Sequence, residues 1–179
     1  NLDGKIATAH TADDNAETVL LHLVRGTGLK GLGGIMPQNG NVIRPMLSVT
    51  RADVEAFLAE WSLPHIEDSS NETDRFLRNR LRHHVMPLLK EENPQLAENL
   101  SQMALRLRQD EECLAELAHR DVLSVAQLRK MHPSLRARAL ERFLKENGVR
   151  EPEAEHIALA ESLVFSEKPS ASGQFPGGV

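Results

Sequence analysis

Apolar residues in the first half of the chain alternate between short runs and helical spacing. Residues 6–9 and Val42-Ile43 are short apolar runs that predict strands. Between them, the apolar positions of residues 16–24 recur as on one face of a helix, which Gly26 ends. Thr50, with Asp53 three residues later, predicts the N-cap of a helix that runs through residue 61. Strands that alternate with helices are typical of an α/β domain.

Helical spacing alone continues through the second half. It predicts a helix over residues 74–89, with Pro87 bending or closing it, and a long helix that starts at Asn93-Pro94. Two further helices are predicted over residues 133–147 and 152–164. The core stripe of the long helix is predicted at Leu96, Leu100, Met103, Leu107, Leu114 and Leu117.

This change of pattern predicts two domains, residues 1–90 and 91–179. The predicted fold class is mainly α, with an incomplete α/β N-terminal part followed by a helical domain. Two strands are too few for a stable doubly wound sheet, so we expect the missing strands upstream of Asn1. The chain does not begin with Met, and both of its ends are expected to be cut from a longer protein.

Composition excludes some classes of function. The formal net charge of −5 argues against a dedicated nucleic-acid module, although a local basic patch can still bind RNA phosphates. The single cysteine, Cys113, rules out an internal disulfide and a cysteine-only metal site, which fits a reducing compartment. It lies among apolar helical positions, so we expect it to be at least half-buried. No apolar run approaches the roughly 20 residues that span a bilayer, so no membrane partner is expected.

The first candidate site follows the first predicted strand, where His10 precedes the acids Asp13, Asp14 and Glu17. Ligands bind at the carboxyl ends of strands in open α/β sheets. Asp14 and Glu17 share one helix face, and such a pair suits an ammonium group or a magnesium ion, with His10 assisting. The same acids also suit helix capping, with Asp13 or Asp14 as the cap and Glu17 completing a box-like arrangement. Spacing alone leaves both interpretations open.

The second candidate site is a basic run that follows a predicted turn at residues 68–71. On a helix, Arg75, Arg78 and Arg82 fall on one face, and a row of guanidinium groups suits the phosphates of a nucleotide or of RNA. The alternative is a solvated face that pairs with nearby carboxylates. Residues 25–34 are rich in glycine but lack the Gly-Lys-Ser/Thr end of a phosphate loop, so they predict a helix stop and a mobile surface loop.

The order of these clusters resembles that of tRNA(Ile)-lysidine synthetases. The resemblance is carried by residues 7–20 (ATAHTADDNAETVL), 23–32 (LVRGTGLKGL), 43–47 (IRPML), 67–71 (EDSSN), 78–83 (RNRLRH), 87–89 (PLL) and 93–94 (NP). It is specific over about residues 5–110. From there to Val179 it is looser and is similar to the helical domain that follows the catalytic domain.

The resemblance implies an adenine-nucleotide α-hydrolase-like fold of the ATP-pyrophosphatase, or PP-loop, group. It implies that ATP adenylates C2 of the wobble cytidine of tRNA(Ile), and that the side-chain amine of free lysine displaces AMP to leave lysidine. ATP and Mg²⁺ are the implied cofactors, tRNA(Ile) and free lysine are the implied partners, and the implied location is cytoplasmic. A homodimer is compatible with the resemblance.

The resemblance also implies roles for particular residues. Asp14 and Glu17 match the family's lysine-contacting acids. Arg78 and Arg82 are candidates for the fixed positive charge that an anionic intermediate requires, and with the two acids they form the predicted catalytic set. The predicted substrate-binding set is His10, Asp13, Asp14, Glu17, Arg25 and Asn79. Asp13 would assist the metal or the helix entry, Asn79 would orient the arginines, and the metal ligands stay open.

The chain departs from the family pattern where it lacks the Ser-Gly-Gly-x-Asp-Ser loop that holds the ATP phosphates. We therefore expect an internal fragment that is inactive alone. Thr11 also stands where the family often has a second histidine. One alternative is a related tRNA thiolase, which would need a reactive cysteine or a Cys-x-x-Cys pair, whereas Cys113 stands alone. The other is a helical RNA- or protein-binding module over residues 91–179, for which the acids would be caps only.

Overall fold

The computed structural model describes residues 4–65, 73–119, 124–168 and 171–176. The described residues are mainly helical, with a small sheet near the N-terminus, as predicted. The chain divides into two compact units, residues 1–110 and 111–179. The domain boundary near residue 90 stays a prediction. The predicted turn at residues 68–71 lies outside the described residues.

Three short strands form the sheet of the first unit: β1 (Ile6–Ala7), β2 (Gln38–Asn39) and β3 (Val42–Ile43), in the order β1-β3-β2. The two predicted strands, β1 and β3, are parallel neighbours. Strand β2 was not predicted, and it pairs with β3 in an antiparallel hairpin. Its signal was the Gly40-Asn41 dipeptide of the two-residue turn, because Gly40, with a φ of 55°, takes the positive φ that a tight hairpin turn needs.

Helix α1 (Ala12–Arg25) starts five residues after β1 and carries the acidic cluster. Its N-cap is Thr11, whose hydroxyl accepts from the Asp14 N–H while the Asp14 carboxylate accepts from the Thr11 N–H. The prediction of Asp13 or Asp14 as the cap, with Glu17 closing the box, was therefore wrong. Threonine can cap because its side-chain oxygen reaches the third helical N–H, which puts Asp14 inside the helix.

The core of the first unit is built from small residues on α1 and on later helices. Alanine side chains let the helix backbones approach closely, and longer apolar side chains close the edges of the cluster. The buried members are Ala12, Ala16, Met86 and Ala97, flanked by the partly buried Leu20, Leu96 and Leu100.

The glycine-rich segment is partly helical, and its end packs against α1. It forms the short helix α2 (Leu29–Leu32) and then passes close to α1, where a Cβ on Gly34 would lie 2.3 Å from Asn15 Oδ1. The buried Asn15 side chain accepts the Ile35 N–H at 2.7 Å. The prediction of a loop was wrong for residues 29–32, which are helical, and the predicted mobility stays a prediction.

Helix α3 (Arg51–Glu60) was correctly predicted from its caps. Thr50 and Asp53 form a capping box, and Trp61 is the C-cap residue. None of its residues is buried, and the side chains of Phe57 and Trp61 are exposed. Capping, together with a hydrogen bond from its first backbone N–H to α1, fixes its position.

The predicted helix over residues 74–89 is shifted three residues toward the C-terminus. It consists of α4 (Leu77–Arg80), a π-helical segment π1 (Leu81–Val85) and α5 (Met86–Glu92). Pro87 stands at the start of α5 and does not end the run. Proline has no N–H to donate, and the wider π turn before it changes the hydrogen-bond register, so the ring is accommodated.

Helix α6 (Leu96–Leu117) was predicted in its extent but only partly in its buried face. Its buried residues are Ala97 and Ala104, whereas Met103 and Leu117 of the predicted stripe are exposed. The other leucines of the stripe are partly buried. Cys113 is exposed, so its predicted burial was wrong.

The described part of the second unit contains three further helices, α7 (Val125–Lys130), α8 (Pro133–Glu146) and α9 (Ala154–Phe165). The last two were predicted. Their core consists of Leu128, Ala139, Leu140, Leu144, Val149, Ala160 and Val164. No helix in the described ranges is long and apolar enough to cross a membrane.

Candidate functional site

Glu17 is the most deeply buried of the three acids near the start of α1 (Asp13, Asp14 and Glu17), with only 3% of its surface exposed. Arg82 donates to both of its oxygens, from Nε to Oε1 at 2.6 Å and from Nη2 to Oε2 at 2.8 Å. Arg78 Nε donates to Oε2 at 3.0 Å. A buried carboxylate is costly unless it is paired, and these two guanidinium groups supply the pairing. Glu17 therefore ties α1 to α4 and π1.

Asp14 serves two purposes, one with each carboxylate oxygen. Oδ2 accepts the Thr11 N–H at 2.9 Å and the Thr11 hydroxyl at 3.0 Å, which completes the cap of α1. Oδ1 lies 3.3 Å from Arg82 Nη2 and 3.5 Å from Arg78 Nη2. Asp14 thus takes part in the capping box as the partner of Thr11 and also pairs with two arginines, and its role in binding a ligand stays a prediction.

The carboxylates of Asp14 and Glu17 and the guanidinium groups of Arg78 and Arg82 form a charge cluster, which is neutral as a whole. Hydrogen bonding to Glu17 raises the pKa of Arg82, although burial acts against this. The Arg78, Arg82 and Asp14 side chains are 36%, 25% and 24% exposed, against 4% for Glu17. Arg78 is therefore the most exposed of the four side chains, Arg82 and Asp14 are similarly exposed, and Glu17 lies deepest.

Asp13 has a different environment from Asp14. Its Oδ1 accepts from Lys90 Nζ at 2.6 Å, and its Oδ2 accepts from the Arg51 backbone N–H at 2.7 Å. Burial alone would raise its pKa, but the Lys90 hydrogen bond and the Arg51 N–H together hold the pKa below its ordinary value. The hydrogen bonds of Asp13 thus join α1 to α3 and to α5.

Three further predicted site residues have positions or hydrogen-bond partners of their own. His10 follows β1, and its Nδ1 is 2.9 Å from the hydroxyl of Thr8. Asn79 donates from Nδ2 to the Thr73 carbonyl at 2.7 Å. Arg25 is the last residue of α1 and stands about 12 Å along the helix axis from Glu17. Roles for these three in substrate binding stay predictions.

Arg75 does not share the helix face that the sequence predicted for it. The helix begins at Leu77, so Arg75 precedes it, and its guanidinium lies 5.6 Å from the centre of the Phe76 ring.

Neighbouring Asp74 pairs with two histidines, His84 at 2.6 Å and His83 at 2.8 Å. The hydrogen bond with His84 lowers the pKa of Asp74 most, and the hydrogen bond with His83 lowers it further.

Sequence reasoning missed Asn15 and Lys90 as parts of this region. Asn15 accepts from the glycine-rich segment, and it donates from Nδ2 to Ser101 Oγ of α6 at 3.2 Å. The signal available was a polar residue on the same helical turns as the core alanines, since a polar side chain there must find partners. Lys90 carried no signal, because its contact with Asp13 joins residues 77 positions apart.

The acids of the cluster do not make a metal site by themselves. Across the described residues, no three His, Cys, Asp or Glu side chains are grouped so that they could hold a metal ion. Asp13, Asp14 and Glu17 are each engaged with cationic side chains. We therefore assign no metal ligand among them.

Comparison with known families places this cluster in a nucleotide-binding domain. The family model of the PP-loop domain matches residues 3–89, which include all four residues of the charge cluster. A second family model, the TilS substrate binding domain, matches residues 123–179. The first match defines the class: the chain carries a PP-loop domain, which implies the use of ATP.

Curated relatives identify the family within that class. The tRNA(Ile)-lysidine synthase of Geobacillus kaustophilus is 36% identical over 187 residues, which cover 95% of this chain and 40% of the relative. That of Synechococcus is 34% identical over 96% of this chain and 57% of its own length. That of Porphyromonas gingivalis is 51% identical over 62% of this chain and 24% of its own. The chain belongs to the tRNA(Ile)-lysidine synthase family, and it spans about half or less of these relatives' length.

Proposed function

We propose that this chain supplies the lysine site and part of the nucleotide site of a ligase that forms lysidine at the wobble cytidine of tRNA(Ile). The observation that carries the proposal is the charge cluster of Asp14, Glu17, Arg78 and Arg82 inside the PP-loop match. The family of the chain supports the class of reaction, and the charge cluster supplies the residues that would carry it out.

The proposed reaction brings together a cation and an anion. ATP would transfer its AMP group to the oxygen at C2 of cytidine, and pyrophosphate would leave. The lysine amine then forms a bond to C2 and loses a proton, and AMP leaves with the oxygen. Carboxylates at Asp14 and Glu17 suit lysine, whereas Arg78 and Arg82 offset negative charge that develops nearby.

The buried pairing of Glu17 supports this assignment over capping alone. The capping box of α1 is already complete with Thr11 and Asp14. Glu17 takes no part in the capping box, yet it is buried and held by two arginines. Such an arrangement is costly to assemble and is typical of a site built for a charged ligand.

ATP and Mg²⁺ complete the proposal without a full site in this sequence. The Ser-Gly-Gly-x-Asp-Ser loop of the family is absent, so these residues offer only part of an ATP site. Mg²⁺ would accompany the phosphates, and none of the roles given to the four residues depends on it. Residues 123–179 match a substrate binding domain, and tRNA is the substrate that they would contact in this proposal. A cytoplasmic location and a homodimer belong to the same proposal.

The two alternatives find less support. A thiolase needs a reactive cysteine, and Cys113 is exposed but is the single cysteine of the chain. A binding module without catalysis would use the acids as caps only, whereas Glu17 lies outside the capping box and pairs with two arginines. Neither alternative accounts for relatives named tRNA(Ile)-lysidine synthases along 95% of the chain.

A chimera tests the proposal. This chain would replace the matching segment of the Geobacillus kaustophilus relative, which supplies the remaining length, and incorporation of radiolabelled lysine into unmodified tRNA(Ile) would be measured with ATP. We expect label in the tRNA, and its loss with Glu17→Gln but not with Glu55→Gln, since Glu55 pairs only on the surface of α3. A folded chimera that binds tRNA and incorporates no lysine would contradict the proposal.

A further inference from the structure

An exposed aromatic ring stands two residues before Arg78, the first arginine of the charge cluster. Phe76 is the N-cap residue of α4, and 60% of its surface is exposed. The guanidinium of Arg75 lies 5.6 Å from the centre of its ring. Two residues of chain span at most about 7 Å, so Phe76 belongs to the segment that leads directly into the charge cluster.

Side chains of the helix that follows hold this segment in place. Asn79 donates to the Thr73 carbonyl at 2.7 Å, and Arg80 donates to the carbonyls of Asp74 and Arg75 at 3.1 and 3.3 Å. Two histidines of π1 pair with the Asp74 carboxylate. The exposed ring therefore stands on a hydrogen-bonded segment and not on a fraying helix end.

Positive charge accompanies the ring. In the part of the chain that the structure describes, no carboxylate forms an ion pair with Arg75, and Arg80 donates to backbone carbonyls only. The nearby Asp74 carboxylate is engaged by the two histidines. An aromatic face beside guanidinium groups suits a nucleotide, because the base can stack on the ring while the cations meet its phosphate.

We propose that Phe76 is a stacking platform for the cytosine of the wobble cytidine, with Arg75 on an adjacent phosphate of the tRNA. The inference rests on the proposed function. It adds a residue that holds the base to be modified, whereas the charge cluster concerns lysine and the nucleotide.

The reaction itself favours a hold on the face of the base. C2 and its oxygen lie on the edge of the cytosine ring, and this edge must meet both ATP and the lysine amine. A stacked base is held by its face, so its edge stays open for chemistry. The wobble base lies in the anticodon loop, and unpaired loop bases are those that aromatic side chains can stack.

The other exposed aromatic pair of this unit fits a nucleotide less well. Phe57 and Trp61 of α3 are exposed, and their ring centres are 6.0 Å apart. Asp53 and Glu60 lie four residues before and three residues after Phe57, on the same side of the helix. Carboxylates there repel the phosphates of RNA, which makes Phe57 a matched control for Phe76.

Two RNA probes test the inference on the whole 179-residue chain. Both are anticodon stem-loops of tRNA(Ile), one with cytidine and one with an abasic residue at the wobble position, and fluorescence anisotropy measures their affinities. We expect the unchanged chain to prefer cytidine by about tenfold, as one base stack provides. Phe76→Leu should abolish this preference, whereas Phe76→Tyr, which keeps the ring, and Phe57→Leu should retain it.

Either of two results would overturn the inference. One is an unchanged chain that binds both probes equally or binds neither. The other is a Phe76→Leu variant that still prefers cytidine about tenfold, since the preference would then come from another residue.

Kinetics in the chimera with the Geobacillus kaustophilus relative separate this inference from the proposed function. Phe76→Leu should lower kcat/KM for tRNA(Ile) by about tenfold and leave KM for lysine unchanged, since the ring would contact only the base. Equal activity of the Phe76→Leu and Phe57→Leu chimeras would overturn this inference alone. An unchanged chimera that incorporates no lysine would overturn the proposed function, and this inference with it.

Discussion

Arg82 holds Glu17 by a two-pronged contact, with one guanidinium nitrogen on each carboxylate oxygen. The two residues are 65 positions apart in sequence, so this contact fixes π1 against α1. Planar forks of this kind combine strength with a defined geometry. The orientation of the acidic pair is thus set by the fold itself, before any ligand arrives.

Replacement of Arg82 by lysine should weaken the fold and the site together. A lysine ammonium cannot reproduce the two parallel hydrogen bonds, and Glu17 would stay buried with weaker pairing. We expect Arg82→Lys to lower the free energy of unfolding by about 2 kcal/mol, in the range for hydrogen bonds to charged groups. Urea denaturation measures this. An unchanged midpoint would mean that the pairing adds nothing to stability.

Gly34 and Gly40 provide a matched pair for the glycine-rich segment. Both have positive φ, 65° and 55°, so alanine carries a similar backbone cost at either position. Only at Gly34 would the new Cβ meet Asn15, whereas Gly40 faces open space. We expect Gly34→Ala to destabilise by about 1–3 kcal/mol more than Gly40→Ala, measured by thermal unfolding. Equal effects would show that the contact with Asn15 is unimportant.

The lowered pKa of Asp13 predicts that the protein loses stability in acid. Its pKa is lowered from an ordinary value of 3.8, so its contribution is present above that value and is lost as pH falls through the lower folded pKa. We expect Asp13→Asn to reduce stability at neutral pH and to flatten the decline below about pH 4. Asp110→Asn, on the exposed surface of α6, is the control. Parallel curves for Asp13→Asn and the unchanged chain would contradict this.

Replacement of Arg136 tests whether a buried cation stabilises the second unit. It is 7% exposed, donates to Glu161 Oε1 at 2.6 Å and to the Met131 carbonyl at 2.9 Å, and lies 4.7 Å from the centre of the Phe165 ring. We expect Arg136→Ala to cost about 3–5 kcal/mol, because it leaves these acceptors without their donor. Arg129→Ala, whose guanidinium is less buried, should cost less. Chemical denaturation compares the two variants.

Local signals predicted much of this fold. Capping pairs such as Thr50 with Asp53 depend on residues three apart, and the spacing of α1 and α8 is a property of each segment alone. The resemblance singled out Asp14, Glu17, Arg78 and Arg82, and the structure brings these four together. Whether they bind lysine stays a prediction.

Several errors concern helix boundaries and buried faces, which local spacing does not fix. Arg75 was placed on a helix that begins two residues later, and Pro87 was expected to bend or close a helix that a π turn carries past it. Cys113 lies among apolar positions but on an exposed part of α6. Hydrophobic spacing shows that a helix has a buried face, but the packing partners decide which residues that face includes.

Calorimetric titration with L-lysine tests the central claim, that the Asp14 and Glu17 pair binds lysine. Asp14→Asn and Asp53→Asn form a matched comparison, because each aspartate closes a threonine capping box and only Asp14 also pairs with arginines. The account predicts that Asp14→Asn weakens lysine binding about tenfold or more, and that Asp53→Asn leaves it unchanged. Equal affinity for lysine in both folded variants and in the unchanged chain would contradict it.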